Sequence, residues 1–135
     1  ILDLGLTAEL DEDDRRGFAG YFASWAAGDG ETTARIVFEH SPGSTVLDYA
    51  AYERDMVEFV RRYHGKALGE VQVSTVAFDM LNLLRRHRVR ANPVYTMCNI
   101  AIAVTEGIGK QLDPELDLVQ EALPFFAELQ AAGRL

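Results

Sequence analysis

The sequence has little cysteine, little positive charge and no long apolar run, and each shortage removes a class of function. A single Cys98 excludes an internal disulfide framework, and with only His40, His64 and His87 scattered along the chain it cannot build a zinc site. A reducing compartment is the expectation. Lys and Arg number 13 against 21 Asp and Glu, for a formal net charge of −8 at pH 7. A nucleic-acid partner is excluded on that balance, because displacing counterions from phosphates needs a basic face. No stretch approaches the roughly 20 consecutive apolar residues that span a bilayer. No basic-then-apolar signal segment opens the chain either, so it is expected to be soluble. Internal repeats and low-complexity segments are missing, as is an initiator Met. The opening Ile1-Leu2-Asp3-Leu4-Gly5 lies inside an apolar strand pattern, which predicts a fragment or a chain numbered from an internal point.

What is present is an ordinary globular composition, 48% apolar and 25% charged over 135 residues, enough for one domain with a real core. Helical spacing dominates it. Asp11, with Asp14 three residues on, reads as an N-cap with acidic first-turn support. Phe18, Tyr21, Phe22 and Trp25 then form an aromatic stripe that needs burial, up to the stop at Gly28-Asp29-Gly30. A second helix from about Glu31 to Glu39 ends before His40-Ser41-Pro42-Gly43, and the two predict a helical hairpin. Asp48 caps a third, whose apolar face includes Tyr52, Met56, Phe59, Val60 and Tyr63 and which closes at His64-Gly65. Lys66 to Val73 is irregular, with room for one short extended piece, and Ser74 reads as the next cap.

The fourth helix, Thr75 to about His87, places Val76, Phe78, Met80, Leu81, Leu83 and Leu84 at helical spacing. Asn92-Pro93, an N-cap followed by Pro at the first helical position, opens a fifth helix through Leu112. Being apolar nearly all round, it is predicted to be the central helix, buried through Met97, Cys98, Ile100, Ala101, Ile102, Val104 and Ile108. A last helix from Asp117 to about Gln130 is interrupted at Pro124. The fold class is all-α, a helical bundle over residues 11–135 behind a strand stub over residues 1–10.

Several groups are candidates for chemistry. A carboxylate at a strand end with Gly two residues on, as in Asp3-Leu4-Gly5, can aim its oxygens at a metal-bound phosphate, as the kinase Asp-Phe-Gly element does. The acidic cluster Asp11 to Asp14 is explained by the helix macrodipole before any metal is needed. The basic run Arg85-Arg86-His87-Arg88 either compensates a helix C-terminus or meets an anionic surface, lipid headgroups or another lobe of the same protein. Glu106, in the middle of an apolar helix, must find a partner, with an Arg expected, or shift its pKa. Cys98 in the same helix reads as an inert core thiol. Gly107-x-Gly109-Lys110 has the wrong spacing for a phosphate loop, with Gln111 in place of Ser or Thr. Asp113-Pro114-Glu115-Leu116-Asp117 has Leu118 where a calcium loop needs Gly.

Taken in order, these landmarks resemble the C-terminal half of the UbiB/AarF family of atypical kinase-like proteins. The matching stretches are Ile1 to Leu10, Asp14-Arg15-Arg16, Ala27-Gly28-Asp29, Arg54-Asp55, Arg62-Tyr63, Leu83-Leu84-Arg85-Arg86-His87, Thr105-Glu106-Gly107 and Gln111-Leu112-Asp113-Pro114. The resemblance covers almost the whole chain. It implies most of the helical C-lobe of a protein-kinase-like domain, in which Asp3 is the Mg²⁺-binding acid. Gly5 implies backbone freedom beside the bound Mg-ATP, and Leu4 stands in the packing place of the usual Phe. The family's role implies support of ubiquinone or related prenyl-lipid biosynthesis by an ATP-dependent kinase or ATPase. It further implies a cytoplasmic protein, peripheral at the membrane, with a membrane lipid or quinone precursor as a partner beside the missing N-lobe and catalytic loop. Glu106 and Asp113 match landmarks expected to be structural. The phosphate-covering loop, the N-lobe Lys and the catalytic-loop acid and Asn are not among these residues, so the chain alone is expected to turn over no ATP and to hold no cofactor.

The rival reading is a non-enzymatic helical ligand-binding or dimerisation domain, such as the sensing domain of a one-component repressor, which also encloses an aromatic-lined pocket. That reading leaves Asp3 without a task and needs a helix-turn-helix upstream. A purely structural helical domain is the third possibility, and a large exposed apolar face would argue for a missing lobe or a membrane contact instead.

Overall fold

The computed structural model describes residues 9–64, 72–115, 124–125, 127–129 and 131–132. The strand stub, with Asp3 and Gly5, and the irregular stretch 65–71 lie outside them, as does most of the last helix expected from Asp117. Among the described residues there are helices and turns and no strand, an all-α fold. The main elements are α1 (Glu12–Ala26), α2 (Gly30–Glu39), α3 (Tyr49–Tyr63), α4 (Val73–Arg86) and α5 (Pro93–Leu112).

Short polar side chains start four of the five helices, each satisfying a backbone N–H that the helix itself cannot. Asp11 accepts from the Asp14 N–H at 2.8 Å, Asp29 from Thr32 at 2.9 Å, Asp48 from Ala51 at 2.9 Å and Asn92 from Val94 at 2.8 Å. α4 departs from the pattern. It begins at Val73 with Gln72 as an uncapped N-cap, so Ser74, the expected cap, sits inside the first turn. Between α1 and α2 the chain reverses through Gly28 at φ +77°, a left-handed conformation that disfavours a side chain. The predicted α1–α2 hairpin is therefore present, held inside by the Ser24 and Thr33 hydroxyls 3.0 Å apart.

The core lies between α2, α3 and α4. Ala34 and Val37 of α2 meet Tyr52, Met56, Phe59 and Val60 of α3, and Met80, Leu83 and Leu84 close it from α4. Tyr52 is fully buried because its hydroxyl donates to the Ala34 carbonyl at 3.0 Å, so its polar end crosses the core without loss.

α5 is not the central helix. Its only buried residues are Tyr95 and Glu106, while Val104 and Ile108 are more than half exposed, at 54% and 55%. It packs along α4 and touches α1, and among the described residues its other faces are open. An apolar pattern on every side shows that a helix can be surrounded; it does not show that the neighbours are at hand. The narrow stripe of α3, by contrast, dictates one buried face and gets it.

Candidate functional site

Two constructions bring functional groups together. The first is a polar joint between α3 and the end of α4. Asp55 Oδ2 lies 2.7 Å from His87 Nε2 and 3.7 Å from the Arg86 guanidinium. The His87 hydrogen bond first, and then the neighbouring positive charges, hold the Asp55 carboxyl below the usual carboxylate range. Eight residues nearer the N-terminus of α4, Asp79 accepts a short hydrogen bond from the Tyr63 hydroxyl. The basic run thus divides. Arg86 and His87 are spent on Asp55, while Arg85, Arg88 and Arg90 remain exposed.

The landmarks Arg54-Asp55 and Arg85-Arg86-His87, 30 residues apart in sequence, are one contact in space. Sequence alone places neither beside the other. Glu106 is buried as expected, and among the described residues it forms an ion pair with Lys110 at 2.9 Å, one turn along the same helix. That pairing is local because i and i+4 share a face. Asp113 caps the C-terminal end of α5, and its carboxylate accepts from the Glu115 N–H at 3.0 Å.

The second construction is an apolar cleft of about 460 Å³ between α1, α4 and α5. Tyr21, Phe22 and Trp25 wall it from α1, Ala77, Met80 and Leu81 from α4, and Tyr95, Asn99 and Ala103 from α5. Among the described residues no charged side chain lines it. Its size falls in the range of small-molecule pockets, which are mostly apolar with a few placed polar groups. Burial pushes the Tyr21 phenol up to about 12 and moves the Tyr95 phenol further still, so both are neutral hydroxyls at physiological pH.

α1 and α5 meet closely at one point. Gly17 of α1 lets the Tyr95 hydroxyl and the His40 ring press against the helix backbone; a Cβ there would collide with both. The small Ala77 and Ala103 line the cleft and fill little of it. Among the described residues, the Trp25 indole N–H and the Tyr95 hydroxyl are buried without a hydrogen-bond partner. Such groups are uncommon in folded proteins and call for an explanation. The aromatic stripe was legible in sequence; that part of it borders a cleft was not, and the small residues of α4 and α5 were the available signal. Cys98 is half-buried, with its thiol pushed up by burial and by the charge of Asp14, a state that disfavours the reactive thiolate.

The structure is an all-helical unit with a polar joint and an apolar cleft, and comparison with known proteins adds to that geometry. Residues 56–117 match the family model described as the UbiB helical domain. A mitochondrial ABC1 family protein of Saccharomyces cerevisiae is 32% identical over 131 residues, covering 95% of this chain and 20% of that protein. The probable serine/threonine-protein kinase abkC of Dictyostelium discoideum is 28% identical over 96% of this chain and 19% of its own length. The probable protein kinase UbiB of Shewanella halifaxensis is 29% identical over 96% of this chain and 24% of its own. These matches support membership of the UbiB family. The chain spans about a fifth to a quarter of the length of these relatives. No solved structure matches it.

Proposed function

We propose that this chain is the helical C-lobe part of a UbiB-type atypical kinase or ATPase that supports ubiquinone or related prenyl-lipid biosynthesis. The observation behind this reading is the similarity over more than nine-tenths of the chain to proteins named as probable kinases. Asp3 is the Mg²⁺-binding acid in this reading, and Gly5 the residue that lets the backbone turn beside bound Mg-ATP. The cation supplies charge neutralisation between the β- and γ-phosphates. The phosphate-covering loop, the N-lobe Lys and the catalytic loop come from the rest of the longer protein, which is the first partner of this lobe. A membrane lipid or quinone precursor is the second.

A cytoplasmic protein peripheral at a membrane accords with two observations. Among the described residues no helix is long and apolar enough to cross a bilayer. α5 nevertheless presents Ile100, Val104, Ile108 and Leu112 at four-residue spacing, all exposed, the first two bordering the cleft and the last two beyond it. Contiguous exposed apolar surface of this kind marks an interaction face.

ATP turnover by the full-length protein tests the reading. Asp3→Asn is expected to abolish turnover while leaving the helical fold intact by circular dichroism, and residues 1–135 alone are expected to show none. Undiminished turnover in the Asp3→Asn protein would remove Asp3 from the metal site.

A further inference from the structure

Four independent features of the cleft converge on a ligand. It holds about 460 Å³, walled by helices on three sides. Among the described residues no charged side chain lines it, so an ionic ligand would be desolvated there without compensation. Its wall includes Trp25, whose buried indole N–H has no acceptor. Two polar side chains of the lining are already used, Asn92 donating to the His40 carbonyl at 2.8 Å and Thr96 to the Asn92 carbonyl at 2.9 Å, whereas the Tyr95 hydroxyl is not. The Trp25 indole N–H and the Tyr95 hydroxyl, two buried groups without a partner in a wall that is mostly apolar, select for an oxygen on an apolar body.

We propose that the cleft between α1, α4 and α5 binds a neutral amphiphile, an apolar molecule whose carbonyl or ether oxygen accepts the hydrogen bond of the Trp25 indole. Water would satisfy the indole at the expense of wetting an apolar wall, and a hydrocarbon would fill the wall and leave the indole unsatisfied. The amphiphile does both. A prenylated quinone precursor is one such molecule, and that identification rests on the function proposed above; the existence of the site does not.

The test uses the full-length protein and Nile red, a neutral apolar dye with a ring carbonyl, competed by 2-decyl-1,4-benzoquinone. Saturable dye fluorescence, displaced by the quinone, is expected. Ala77→Phe and Ala103→Phe each place a ring in the cleft and are expected to weaken binding about tenfold or more. Trp25→Phe keeps an aromatic wall and removes the donor, with an expected loss of about fivefold. It remains readable if a ring insertion disturbs folding, which far-ultraviolet circular dichroism reports. Arg61→Gln on exposed α3 surface is expected to leave binding unchanged.

Absence of saturable binding would show that other parts of the longer protein fill the cleft, and would overturn the proposal. So would unchanged affinity in both ring insertions or in Trp25→Phe. Asp3→Asn separates the two readings, because it is expected to abolish ATP turnover and leave dye binding intact. Loss of the cleft effects alone discards the ligand site, and retained turnover alone discards the role of Asp3.

Discussion

α3 and α5 are both rich in apolar residues, and the bundle uses them in opposite ways. α3 buries Tyr52, Met56, Phe59, Val60 and Tyr63 on one stripe and leaves Arg61 and Arg62 in solvent. α5 buries Tyr95 and Glu106 and exposes four large aliphatic side chains. The difference lies in what the rest of the chain supplies. α3 is covered by α2 on one side and α4 on the other, whereas α5 has α4 and the end of α1. A strongly amphipathic helix needs a single partner surface, and the α1–α2 hairpin with α4 provides it. A helix that is apolar all round needs several, and those described here leave it a cleft and an open face.

The contrast can be broken at its strong end first. Met56→Ala removes a fully buried side chain from the α2–α3–α4 core and is expected to cost about 3 kcal/mol in urea denaturation, the usual range for a large-to-small core change. A loss below about 1 kcal/mol would mean that α3 is no better packed than α5. Tyr52→Phe comes next. It takes away the hydroxyl that satisfies the buried Ala34 carbonyl, so about 1 kcal/mol is expected by the same measurement.

The α3–α4 joint responds to acid. Because the Asp55 carboxyl is held down by His87, its contribution is fully present above the ordinary unfolded carboxylate value of about 4 and is lost as pH falls through the lower folded value. His87→Ala removes the hydrogen bond, so stability measured from about pH 5 to pH 2 is expected to fall less steeply than in the parent. Asp55 is over a third exposed, so the effect is screened and modest. An unchanged acid limb would show that the joint does not tie α4 to α3. The smallest effect belongs to α5: Ile108→Ser is expected to change stability by no more than about 0.5 kcal/mol, because the side chain already faces solvent. A large loss would mean that α5 is covered where the described residues leave it open.

Much of the fold could be read from local chemistry. The caps at Asp11, Asp48 and Asn92 and the ends of α1, α3 and α5 lie where short polar residues, glycines and Pro93 put them, since each acts on backbone groups within a few positions. Ser74 misled because α4 starts two residues early, with Gln72 as N-cap and no side-chain cap. Of the candidate site, Glu106 was recognisable as buried and in need of a partner, while its pairing with Lys110 depended on rotamer reach along α5. Asp3 and Gly5 lie outside the described residues, and their part in Mg-ATP binding stays with the function proposed above.

Helix positions, helix ends and the all-α class are properties of short windows, because caps, breakers and a 3.6-residue period act over a turn or two. Three features are not. Asp55 meets His87 across 32 positions. Gly17 admits the Tyr95 hydroxyl from a helix more than 60 residues away. α5 lies on the flank of the bundle and not at its centre. Each depends on how whole helices cross, and crossing is decided by the fit of side-chain ridges over the full contact surface, of which no window of sequence holds both halves.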